Sequence, residues 1–181
     1  MGTFPRGDTF TLYLDSGGSS GIELLPDSTG VTTYAHFRAY LAAPIKFDNA
    51  MQWFCVISEA VYKTPPNNSS SIVIQANCIQ SSQFNSTSTQ ALTRIPPPVF
   101  PGSIVLPGSY TATNFQPNSW PVPYIQQTTI IPWAQVNSGS ITQIEVTFID
   151  ARTGLIIQAP VIDGEAHSIG LTFRYFGNKS F

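Results

Sequence analysis

Apolar residues in this chain recur at every second position and almost nowhere at every third and fourth. Residues 9–14 (TFTLYL) place Phe10, Leu12 and Leu14 on one side, and residues 167–176 (HSIGLTFRYF) do the same with Ile169, Leu171, Phe173 and Tyr175. A period of two belongs to a strand with one buried face, whereas an amphipathic helix needs i, i+3, i+4 and i+7. Few windows meet the helical pattern, and 15 prolines and 13 glycines punctuate the chain throughout. The reading is all-β.

Other strands follow from alternation and from β-branched or aromatic clusters. Residues 34–41 (YAHFRAYL), 51–62 (MQWFCVISEAVY) and 71–79 (SIVIQANCI) read as the second, third and fourth, with a weaker one at 90–95. Residues 126–136 read as one strand, broken or bulged at Pro132, and residues 140–149 as the next. A turn at 150–154 and a short extended piece at 155–157 precede the last strand. Residues 95–110 and 117–123 hold too many prolines for a central ladder, because proline lacks the amide donor. They read as one long, stiff, exposed connection, with a short extended piece at 103–106. The total, about eight strands with long loops, suits a sandwich or jelly roll of two four-stranded antiparallel sheets. A closed up-and-down barrel fits less well, since its connections are short hairpin turns. The expected organisation is an N-terminal arm at 1–8, a single jelly-roll domain at 9–176 and a short tail at 177–181.

Charge narrows the function. Only 10% of the 181 residues are charged, against about a quarter in an ordinary soluble domain, and the net charge is −2. No cationic field exists to hold a phosphate backbone, so direct nucleic-acid binding is not expected. At 42% hydrophobic the chain is too apolar for intrinsic disorder. No apolar run approaches the roughly 20 residues that span a bilayer, and the first eight residues show no apolar segment of a secretory signal. Polarity comes from Ser, Thr, Asn and Gln instead. Either glycans or neighbouring subunits must then cover much of the surface.

Motifs for catalysis are missing. Cys55 and Cys78 are the only cysteines, too few for a four-cysteine zinc site. One bridge between them can form, but two buried free thiols are the favoured reading. His36 and His167 stand far apart on separate strands, without a nucleophile elbow or a clustered metal-ligand set. Glu59, Glu145, Asp150, Asp163 and Glu165 offer carboxylates, with no spacing that singles out a pair. No enzyme activity, metal or cofactor is expected. The glycosylation patterns at Asn67, Asn68, Asn85 and Asn178 fall in turns or the tail, where polar turn chemistry accounts for them. Arg6, Gly7 and Asp8 match the integrin-recognition tripeptide, a candidate receptor site whose position in a terminal arm favours a chance match.

Two blocks resemble a known family. Residues 37–47 (FRAYLAAPIKF) and 52–62 (QWFCVISEAVY) are similar to the segment F-x-x-x-L-x-x-P-I-x-L … W-x-V-x-L-x-E-I-x-Y of the penton, or vertex, proteins of Polinton-like viruses and virophages. Residues 129–133 (TIIPW), 141–150 (ITQIEVTFID), Gly154 and the closing 171–174 (LTFR) resemble that family's I-x-x-I-x-V-x-I-x-D-x-x-G hairpin and final L-x-F-R-like strand. Between them, residues 107–110 (PGSY) are similar to its P-x-G-x-Y turn. The likeness covers roughly residues 34–62 and 107–175; residues 111–122 depart from it, being Pro- and Asn-rich where relatives often carry a short helix.

The resemblance implies a single eight-stranded jelly roll that assembles as a homopentamer at the five-fold vertices of an icosahedral double-stranded DNA virus. Vertex proteins of the nucleocytoplasmic large DNA viruses share that fold. It further implies a virion protein without an active site, flanked by major-capsid trimers, with the N-terminal arm facing inward or reaching a neighbour. Two other readings use the same fold class: a receptor- or glycan-binding jelly roll, such as a fibre head or lectin, and a trimeric tumour-necrosis-factor-like or C1q-like domain.

Overall fold

A computed structural model describes residues 9–18, 20–47, 51–63, 72–80, 82–84, 87–89, 91–95, 121–125, 133–159, 161 and 166–178. Among them run β1 (Thr9–Asp15), β2 (Ile22–Pro26), β3 (Thr32–Phe47), β4 (Met51–Lys63), β5 (Ile72–Ala76), β6 (Ser82–Phe84), β7 (Thr87–Thr89), β8 (Ala91–Ile95), β9 (Pro121–Ile125), β10 (Ala134–Gln135), β11 (Gly139–Asp150) and β12 (Ser168–Asn178). The alternation that marked β1, β11 and β12 is the burial alternation of these strands: Leu14, Ile144, Val146, Phe148, Ile169, Leu171 and Phe173 all point into the core.

One sheet has the order β1-β12-β4-β10, with β9 also on β4; the other has the order β2-β3-β11-β5-β8. All pairings are antiparallel. The pattern has a simple origin. β1 pairs β12, β3 pairs β11, β4 pairs β9 and β10, and β5 pairs β8, so the chain is one long hairpin folded back on itself. Rolling that hairpin brings β12 against β4 and β11 against β5. This is the eight-position jelly roll. Extra strands decorate it: β2 lengthens the second sheet beyond β3, two short strands share the free edge of β4, and β6 and β7 form a separate hairpin.

Differences from the sequence expectation have local causes. β9 contains Pro121 and Pro123 yet forms a ladder, because it lies along the outer edge of β4 opposite residues 59–63, where missing donors can face away from the sheet. Of the strand expected at 126–136, Ala134 and Gln135 pair with β4; residues 126–132, like 96–120, lie outside the described residues. β3 continues to Phe47, beyond the expected end at Leu41, by looping out of register: Ile45 faces Ile141 and Tyr40 faces Gln143, so residues 41–44, including Pro44, are set against Thr142 alone.

The core fills the space between the sheets. At the end where β3 gives way to β4, Phe10 stacks on Phe173 at 4.9 Å, and Phe47 meets Trp53 edge-on at 5.5 Å. Trp53 also lies 5.5 Å from Tyr175. At the other end Phe148 packs against Tyr62 and the His167 ring. The buried hydroxyls of Thr33 and Ser16 are bonded, as a low-dielectric interior favours. Thr33 Oγ1 donates to the Ala159 carbonyl at 3.0 Å and accepts from the Ala35 and Ala159 amides. Ser16 Oγ accepts the His167 amide at 2.7 Å.

Candidate functional site

The two outer faces of the sandwich differ in chemistry. On the second sheet, outward positions of β2, β3 and β11 join Glu23, Arg38 and Glu145, with His36 and Tyr40, into one network. Arg38 Nη2 donates to Glu145 Oε2 at 2.8 Å and Nη1 to Glu23 Oε2 at 3.0 Å. The Tyr40 hydroxyl donates to the same Glu23 oxygen at 2.6 Å. His36 Nδ1 lies 2.8 Å from the Pro26 carbonyl, and Nε2 lies 3.1 Å from Glu145 Oε1. A carbonyl only accepts, so Nδ1 is the donor there, and a second bond to the carboxylate needs a proton on Nε2 as well.

The strand period places His36, Arg38 and Tyr40 on one face, and the register sets Arg38 opposite both Glu23 and Glu145. Asn77 anchors Glu145 further: the Glu145 amide donates to Asn77 Oδ1 at 2.9 Å, and the Asn77 amide donates to the Glu145 carbonyl at 3.2 Å. Partial burial disfavours the Glu145 carboxylate, but hydrogen bonds from Arg38 and His36 outweigh it and hold the pKa below the ordinary 4.5. Those bonds, chiefly that to Glu145, also keep Arg38 charged more firmly than usual. Each carboxylate is matched by a cationic or hydroxyl donor within the network. The arrangement is a structural clasp across three strands; it presents no nucleophile paired with a base.

On the first sheet the outer face is aromatic. Phe54 and Phe176 meet edge-on at 5.1 Å, Trp133 lies 5.6 Å from Phe176, and the Arg174 guanidinium lies 5.1 Å from the Phe176 ring centre. Phe176 is 40% exposed and Tyr13, on the edge strand β1, 72%. Such a surface has the aromatic-plus-arginine character enriched at protein interfaces.

The remaining candidates disperse. His167 is fully buried in the core and His36 belongs to the clasp, so the two histidines sit on different sides of the structure. Asp150 Oδ1 accepts the Arg152 and Thr153 amides in the turn after β11, and Glu59 is exposed on β4. Among the described residues no three His, Cys, Asp or Glu side chains converge as a metal site would require. No helix among them is long and apolar enough to cross a membrane. Cys55 and Cys78 are both free and both buried, as the sequence reading favoured. Arg6, Gly7, Asp8, Asn67, Asn68, Asn85, Asp163 and Glu165 lie outside the described residues. Sequence reasoning noted His36 and Glu145 separately and missed Glu23, Arg38 and Tyr40. Only their alternate spacing on one strand was visible, because cross-strand register is not written in the order of residues.

No family model matches the chain, and no curated protein matches it. One solved structure, the mavirus penton protein, is similar. Identity is 14% and the TM-score 0.37, over 59% of this chain and 34% of that one, so the chain spans about a third of that protein's length.

Proposed function

We propose that this chain is a structural capsid protein that closes as a homopentamer at icosahedral vertices, beside trimers of a major capsid protein. It acts as a building block, without catalysis, cofactor or direct contact with nucleic acid. One observation carries the reading. The two sequence blocks that resemble penton proteins, far apart along the chain, become neighbours in the jelly roll: Phe37 pairs Val146 on β3 and β11, and Trp53 pairs Tyr175 on β4 and β12. The family-like sequence is thus the paired centre of both sheets.

Composition supports it. A subunit walled in by neighbours needs little charge, and this chain has 18 charged residues in 181. On this reading a second copy rests on the aromatic outer face of the first sheet, around Phe54, Trp133 and Phe176. That contact is head-to-tail, so the angle between copies decides closure into a ring.

The test is to locate the chain on its native particle by electron cryomicroscopy with a labelled copy. Density at the five-fold vertices, five copies to each, is the expected result. A trimer, or a position away from the vertices, overturns the reading.

A further inference from the structure

We infer that Cys55 and Cys78 are a dithiol placed to close as a single disulfide that staples one sheet to the other. Cys55 lies on β4 of the first sheet, and Cys78 lies two residues beyond the end of β5 of the second. Both side chains lie in the core between the sheets, 0% and 2% exposed, and Cys78 is a neighbour whose thiol perturbs that of Cys55. These are the only two cysteines in the sequence.

The backbone holds them in place. Ala134 of β10 pairs with Cys55, and three residues later the Asn137 amide donates to the Cys78 carbonyl at 2.9 Å. Asn137 Nδ2 donates to the carbonyls of Asn77 and Ile79, on either side of Cys78. One short segment therefore fixes the positions of both cysteines. Closure needs the sulfurs to approach to about 2.05 Å. In the step two S–H bonds break and one S–S bond forms. Two electrons and two protons pass to the oxidant, a diazene that becomes a hydrazine or a disulfide that becomes two thiols.

Burial and the neighbouring Cys78 raise the Cys55 pKa well above the usual value, so little thiolate is present. Because the thiolate is the reacting form, the bond forms slowly in the folded chain, and burial keeps an external thiolate from reducing it quickly. The pair thus acts as a kinetic lock, set by the redox conditions in which the chain folds or is stored. This inference concerns a single folded chain and does not depend on the capsid reading.

The test treats the folded protein with diamide, then denatures it in iodoacetamide and reads intact mass. The expected product is monomeric, two hydrogens lighter and unalkylated. Its melting temperature should rise by about 5–10 °C, the amount expected from closing a loop of this length, and fall back on reduction. A Cys55→Ala/Cys78→Ala variant, which avoids a polar hydroxyl in the core, should show no shift. Two alkylated thiols after oxidation that bridges the denatured chain, disulfide-linked dimers, an unchanged or lowered melting temperature, or an equal shift in the double variant would each overturn the inference.

Discussion

Arg38 and Glu145 are register partners on β3 and β11, and Arg38 Nη2 lies 2.8 Å from Glu145 Oε2. Glu145 joins Arg38 to His36, while Glu23 joins Arg38 to Tyr40, so the clasp hangs on two carboxylates. Glu145→Gln keeps the shape and removes the charge. It should cost about 1 kcal/mol at neutral pH, the scale of a partly exposed cross-strand charge pair. Urea unfolding at constant m-value measures it.

The same carboxylate predicts a pH response. Its folded pKa lies below the ordinary 4.5, so the folded state binds its proton less readily than the unfolded one. Its contribution is therefore fully present above about pH 4.5–5 and is lost as pH falls through the lower folded value. Melting temperatures of the wild type and Glu145→Gln, measured from pH 7 to pH 3, should converge at the acid end. A constant gap would show that the ion pairs are not its source.

Gly170 sits opposite the bulge in β4, where the register steps from Glu59 to Ile57. A Cβ there would lie 2.6 Å from Ser58 Oγ and 3.0 Å from Glu59 Cγ. Gly170→Ala should destabilise by about 1–3 kcal/mol, the cost of overpacking. Removing the hydroxyl with Ser58→Ala should recover part of that loss, and a double-mutant cycle reads the coupling directly.

Phe173 is fully buried and touches both Phe10 and Phe47, at 4.9 and 5.6 Å. It therefore binds β12 to β1 and to the end of β3 across the core. Phe173→Ala should cost about 3–5 kcal/mol, transfer and cavity together. Chemical denaturation is the measurement, and a loss below 1 kcal/mol would mean that the site collapses around the missing ring.

Phe176 is an exposed aromatic of the same strand, on the face that the capsid proposal gives to a neighbouring copy. Phe176→Ser should shift the melting temperature of the single chain by no more than about 3 °C. If the proposed pentamer forms, its yield at fixed concentration should fall by about tenfold or more, since a buried aromatic at an interface is commonly worth over 1 kcal/mol. Native mass spectrometry reads the assembly; equal assembly by both proteins would remove this face from the interface.

Legibility in the sequence followed the physics of each element. β1, β4, β11 and β12 were readable because each buries one face against the core, and period-two patterning records that directly. β2 was not: IELLP is five residues with a proline at its end and no clean alternation, and it is held by Glu23 and by its edge position on β3. β9 was hidden by its prolines, which an edge tolerates and a central strand does not. The turn between β2 and β3 was likewise unassigned, although its chemistry is local. Asp27 Oδ1 accepts from the Thr29 and Val31 amides and the Thr29 hydroxyl, and Gly30 supplies the positive φ of 88°.

By itself the order of residues determined the class of structure, the inward face of each long strand and the scarcity of charge that points to a covered surface. Those are properties of single segments or of the whole composition, set by side-chain polarity and backbone period. Tertiary structure alone decided which strands lie together, and with them every pairwise relationship: His36 with Glu145, Cys55 with Cys78, Gly170 with Ser58. The reason is physical. Pairing partners in a jelly roll lie far apart along the chain, here up to 165 residues between Thr9 and Arg174, and only the folded core brings them into register.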